Sequence, residues 1–214
     1  MAKKSTHQKS FESISIVGGL IGNQVLVDIR GKNLEHLDPA GYGLVKGLEL
    51  NDEITRYWRI AKSHWDSFQK DLQLSNAKPA KLTRTFIKYI FEDVLQYPIE
   101  NCNTQTIGER NFPIRLMAFN KSVPIVVSQP DLELDKADDD FGQENLKRSA
   151  AGLVQEYLNA SDSALWGMVS DGIFLRVYRD NPAMTRPAWL EIDFQRLFDE
   201  DNLGDFAALS LIHI

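Results

Sequence analysis

The sequence predicts an α/β protein: an N-terminal helical subdomain followed by a mixed sheet with flanking helices. Three observations predict it. Apolar residues between positions 51 and 72 recur every three or four residues, the spacing of one helix face. Val123-Pro-Ile-Val-Val127 is a continuous, largely β-branched run of the kind that forms a buried strand. Asp171-Gly172 lies between two β-rich runs, the strongest short-range hairpin signal a sequence carries.

Residues 13–80 are the expected helical subdomain. They open on an apolar stretch, Ile14 to Ile29, interrupted by Gly18, Gly19 and Gly22, and continue through a turn-rich stretch, Gly31 to Gly47. A helix is predicted over Asn51–Leu72, with Ile54, Tyr57, Trp58, Ala61, Trp65, Phe68 and Leu72 on its apolar face. Asn51 is the expected N-cap, and Asp52 and Glu53 suit the positive end of the helix dipole. Two tryptophans on one face call for a large packing partner.

Residues 81–185 read as the sheet module. A helix beginning near Thr83 carries Phe86, Ile87, Ile90, Val94 and Leu95, and Pro98 follows its end. Strands are expected at Ile114–Phe119 and Val123–Val127, then an acidic loop from Pro130 through Asp140. A helix over Ser149–Leu158 presents Leu153, Val154, Tyr157 and Leu158. The hairpin arms are Trp166–Ser170 and Ile173–Arg179. Residues 186–214 hold an extended run, Trp189–Ile192, and a helical start, Asp193–Phe198, read as the start of a truncated helical linker.

Bulk properties narrow the function. With 43% hydrophobic and 25% charged residues over 214 positions, the chain can bury a real core. No apolar run approaches the roughly 18 residues needed to span a bilayer, so no membrane partner is expected. Met1-Ala-Lys-Lys-Ser is basic but has no apolar segment behind it, so it is not a signal peptide; residues 1–12 are expected to be a disordered leader. The single cysteine, Cys102, allows no intrachain disulfide and fits a reducing, cytoplasmic setting. His7, His36, His64 and His213 are scattered and form no zinc spacing with Cys102, so no metal site is expected. A net charge of −6 opposes approach to phosphates, so any nucleic-acid contact must come from local basic patches.

The hairpin stretch carries a family resemblance. Leu165-Trp-Gly-Met-Val-Ser-Asp-Gly-Ile-Phe-Leu-Arg-Val-Tyr-Arg-Asp-Asn181, followed by Thr185-Arg-Pro-Ala-Trp-Leu-Glu-Ile-Asp193, resembles the N-terminal region of type IIG-like restriction–modification DNA methyltransferases specific for adenine. Gly152-Leu-Val-Gln-Glu-Tyr-Leu-Asn159 is similar to the helix preceding that hairpin, and Pro39-Ala-Gly-Tyr-Gly-Leu44, the Trp-rich helix and Thr83-Arg84 follow the same order upstream. The resemblance implies that the sheet is restriction-endonuclease-like, with its nuclease site degenerate. It also implies a longer parent protein whose missing part binds S-adenosylmethionine, methylates adenine, and works on DNA beside other defence-system subunits.

The residues limit what this chain does by itself. Methylation needs a glycine-rich cofactor loop and an Asn/Asp-Pro-Pro-aromatic loop for the flipped base. Ile16-Val-Gly-Gly-Leu-Ile-Gly22 imitates the first without the acidic strand end that should follow, and reads as a glycine-softened helix entry. Asn181-Pro-Ala-Met184 imitates the second without its second proline or aromatic residue. No cofactor is expected in this chain. Cleavage needs carboxylates from two strands around Mg²⁺ and a lysine two residues past the second. Pro130-Asp-Leu-Glu-Leu-Asp-Lys136 packs Asp131, Glu133, Asp135 and Lys136 into one short run, and Glu133 and Lys136 would face opposite sides of a strand. Ser128 and Gln129 occupy the end of the central strand, where an acid would stand. Asp131 and Glu133, with Glu92 on the preceding helix, are therefore candidate remnants of nuclease acids, and no catalytic residue is assigned. Lys147 and Arg148, before the helix at Ser149, are candidate phosphate contacts, helped by that helix N-terminus; Arg176, Arg179 and Arg186 are solvated charges or an extension of that surface.

Leu209-Ser-Leu-Ile-His-Ile214 matches what one reading frame of a common transposon-end sequencing adapter encodes, so the native sequence is expected to depart after about Ala208. The reading that joins these points is a non-methylating N-terminal segment of a restriction–modification or phage-defence DNA methyltransferase. An active Mg²⁺-dependent endonuclease domain and a non-catalytic protein-interaction module are the alternatives.

Overall fold

The computed structural model describes residues 11–31, 47–143, 146–180 and 188–212. Strand β1 (Ile14–Val17) ends in a turn at Gly18 and Gly19, whose φ of +70° and +73° are readily reached only without a Cβ. Gly22 then caps helix α1 (Asn23–Arg30) in extended conformation. The glycine run is a helix entry. The leader through Ser10, the greater part of the turn-rich stretch with Pro39 to Leu44, and the Asn181 to Met184 run lie outside the described residues.

Helix α2 (Leu50–Leu72) buries Ile54, Ala61, Trp65 and Phe68, and packs Tyr57, Trp58 and Leu72 against the same core. Its N-cap is Glu49, not Asn51, because the helix begins one residue earlier than the apolar period indicates; Asp52 and Glu53 still fall in the first turn. Helix α3 (Pro79–Tyr89) likewise begins before Thr83. Proline suits the first turn, where its missing N–H has no partner to lose, and Thr83 is fully buried within the helix. The helix widens into a π-helical segment, Ile90–Val94, that keeps Ile90, Phe91 and Val94 buried.

Short strands follow: β2 (Ile99–Asn101), the hairpin pair β3 (Gln105–Ile107) and β4 (Arg110–Phe112), β5 (Leu116–Ala118) and the longer β6 (Val123–Val127). The acidic run does not stay a loop through Asp140. Asp138–Gln143 is strand β7, paired with β8 (Leu146–Arg148), and that pairing outweighs the low strand propensity of three consecutive aspartates. Helix α4 (Ala150–Ala160) is capped by Ser149, whose Oγ accepts from Gly152 N at 2.9 Å. Strands β9 (Trp166–Ser170) and β10 (Phe174–Arg179) form the hairpin, and β11 (Trp189–Asp193), α5 (Phe194–Asp199) and α6 (Leu203–Ile212) complete the chain.

Among the described residues, seven strands form one mixed sheet in the order β1-β11-β10-β9-β6-β5-β2. Every neighbouring pair is antiparallel except β6 and β9, which are parallel and joined through α4; a parallel pair needs such a crossover. Pro124 is tolerated in central β6 because the β9 ladder starts one residue later, at Ile125 opposite Met168. Side chains alternate between two cores. Val123 and Ile125 face the one built by α1, α2, α3, α5 and α6; Val126 faces the one beneath α4, with Phe112 and Phe141. The described parts of residues 13–80 contribute to the first core: Ile14 pairs with Ile192, and Ser13 N donates to Asp205 Oδ2 at 2.8 Å, as does Glu12 N, just before them, at 2.7 Å.

Candidate functional site

β6 sets the site. Its ladder with β9 extends to Ser128, whose N–H donates to Ser170 O at 2.8 Å, and Pro130 then turns the chain away. The loop that follows is pinned by buried Leu134, whose carbonyl accepts from Ala151 N at 3.0 Å, and it returns as β7. A cleft of about 250 Å³ opens between α3, the start of β5, the end of β6 and β7. Arg84 from α3 and Arg115 from the approach to β5 bring positive charge to it. Asp138 and Asp140 from β7 bring negative charge, and Ser128 and Gln129 stand at the strand end. Asp138 and Asp140 both line the cleft, while Asp139 reaches Lys147 Nζ at 3.2 Å. Asp138 Oδ1 also accepts from Asp140 N at 2.9 Å. Arg84 and Arg115 form no ion pair among the described residues. Ser128 is 3% exposed, and its Oγ has no hydrogen-bond partner among the described residues.

The residues singled out from sequence lie elsewhere. Glu92, in the π-helical segment, sits 3.8 Å from Lys88 Nζ and accepts a long bond, 3.4 Å, from Ile99 N. Asp131 and Glu133 are exposed on the loop, and neither they nor Glu92 lines the cleft. Asp135 receives Arg176 Nη1 at 2.7 Å, and Lys136 is exposed. Lys147 and Arg148 lie on β8. Lys147 is exposed beside Asp139, whereas Arg148 is largely buried with Nε 3.2 Å from Glu156, a carboxylate it shares with Arg110. Arg176 is clamped between Asp135 and Glu191 and lies over the Trp189 ring. Burial works against its charge, but the two carboxylates outweigh burial and raise its pKa. Arg179 stacks over Trp166 at 5.3 Å.

Sequence reasoning noticed Ser128 and Gln129 but missed Arg84, Arg115, Asp138 and Asp140 as their neighbours. No local pattern joins these residues, because four separate elements bring them together. Cys102 is half-buried, and burial pushes its thiol pKa up, which disfavours the nucleophilic thiolate. Among the described residues no three His, Cys, Asp or Glu side chains gather as a metal site, and no helix is long and apolar enough to cross a membrane. No family model, curated protein or solved structure matches the chain. The geometry of the cleft therefore carries the functional argument.

Proposed function

We propose that this chain is the N-terminal, non-methylating segment of a bacterial restriction–modification or phage-defence DNA methyltransferase, and that it supports DNA engagement by a catalytic part outside the chain. The sheet is then restriction-endonuclease-like with a degenerate nuclease site. One observation supports the reading: Ser128 and Gln129, at the end of the central strand, line one cleft with Arg84 and Arg115, and a nuclease-like sheet with an active site would need a metal-holding acid at such a strand end. Guanidinium groups that form no ion pair among the described residues suit phosphate contact, and a two-metal or one-metal nuclease centre needs converging acids in their place. The hairpin sequence Trp166-Gly-Met-Val-Ser-Asp-Gly172 supports the family part of the reading.

Plasmid nicking tests it. With Mg²⁺ or Mn²⁺ the chain leaves supercoiled plasmid intact. The Mg²⁺-dependent endonuclease is the second reading, favoured by Asp138 and Asp140 both lining the cleft. Metal-dependent nicking abolished by Asp138→Ala and Asp140→Ala would replace the first reading with it.

A further inference from the structure

The cleft at the end of β6 holds two guanidinium groups and two carboxylates without satisfying either set by ion pairs among the described residues. A bare anion placed there meets Asp138 and Asp140, and a bare cation meets Arg84 and Arg115. A ligand that is anionic at one end and a hydrogen-bond donor at the other satisfies both. We propose that the cleft receives one nucleotide unit of a DNA strand, its phosphate on Arg84 and Arg115 and an amino-bearing base, adenine, cytosine or guanine, on Asp138 and Asp140. The assignment rests on the DNA-engaging reading for the identity of the strand, and adds to it a binding site and a base preference.

Donor and acceptor chemistry sets that preference. Arginine offers five N–H donors in a planar fork matched to phosphate oxygens, and it stays charged. An ionised aspartate only accepts. Adenine N6, cytosine N4 and guanine N2 carry amino donors, whereas thymine has no amino group and offers a single N3–H between two carbonyl acceptors. Thymine therefore brings at least one acceptor against the two carboxylates. Gln129 supplies both a donor and an acceptor, and Phe141 gives an apolar wall for a base. Ser128 Oγ, buried and without a partner among the described residues, gains one when a polar ligand fills the cleft. A volume of about 250 Å³ suits a single unit rather than a duplex, so the nucleotide enters unpaired.

The test titrates the 214-residue chain with dAMP, dCMP, dTMP and inorganic phosphate by calorimetry at low salt. We expect dAMP and dCMP to bind about tenfold tighter than dTMP. Arg84→Met and Arg115→Met should weaken all three nucleotides alike, and Asp138→Asn with Asp140→Asn should erase the difference between them. Equal affinity of the wild-type chain for the three nucleotides, binding of inorganic phosphate as tight as that of dAMP, or a preference that survives the asparagine variants would overturn the assignment. A labelled single strand measured in the same buffer separates the two ideas. A strand bound without nucleotide preference removes the pocket and leaves DNA engagement. Discrimination among nucleotides with no strand binding keeps the pocket and removes DNA engagement.

Discussion

Asp171 and Gly172 show how single residues hold the hairpin. Asp171 Oδ1 accepts from Ile173 N at 2.8 Å and Phe174 N at 2.7 Å, and the Asp171 carbonyl faces Thr83 Oγ1 of α3. Burial pushes the Asp171 carboxyl above its ordinary value, against the pull of those backbone donors and of Arg176. The folded state therefore holds the proton at pH values where the unfolded chain has lost it. The stability it contributes is fully present below the unfolded value and is lost as pH rises through the folded one. Asp171→Asn keeps the acceptor and removes the titration. Denaturant unfolding at several pH values should show wild type gaining on Asp171→Asn as pH falls through that window; a constant difference would contradict the burial effect. Gly172 has φ +90°, and a Cβ there would lie 2.7 Å from Phe68 Cζ and 3.1 Å from Thr83 Cγ2. Gly172→Ala should cost roughly 1–3 kcal/mol, read from the unfolding midpoint. An unchanged midpoint would mean that the turn does not pack against α2. The Asp-Gly pair was legible from sequence as a turn. Its packing was not, because Phe68 and Thr83 are remote in the chain.

At the scale of elements, length and period decided what sequence could reveal. Helix α2 repeats its apolar spacing over six turns, so it was readable although its cap was misplaced. Strands β2, β3 and β4 span three residues each, too short for a period of two to declare itself, whereas β5 was legible within the longer run Ile114–Phe119. Strand β7 begins with three aspartates and is held by pairing rather than by propensity. Helix α2 also shows how the N-terminal helices share the sheet's core. Trp65 is 1% exposed, stacks near Phe198 of α5, and donates from Nε1 to Asp199 Oδ1 at 2.9 Å. Trp65→Ala should cost about 3–5 kcal/mol, and Trp65→Phe, which loses mainly the hydrogen bond, about 1 kcal/mol. Both should lower a single unfolding transition. Two separated transitions, only one of them sensitive to Trp65, would mean that the N-terminal helices fold apart from the sheet.

For the whole molecule, the α/β class was legible because helix-period and strand-period segments alternate along the chain. The closure of the sheet was not: β1 pairs with β11 across some 175 residues, and no local pattern announces such a partner. The cleft was hidden for the same reason, since Arg84, Arg115, Ser128 and Asp138 come to line one cleft only once four elements meet. Electrostatics at this scale oppose tight binding. A net charge of −6 disfavours phosphate approach everywhere except where a local pair of cations faces a strand. The most direct measurement is the binding of a labelled DNA duplex with a single-stranded overhang, followed from low to physiological salt, for wild type and for Arg84→Met with Arg115→Met. The account predicts weak binding that strengthens as salt falls, and a salt slope that flattens by roughly one when both arginines are removed, because the two share one phosphate and its neutralisation releases about one counterion. A slope unchanged by the double substitution, or no binding even at low salt, would contradict it.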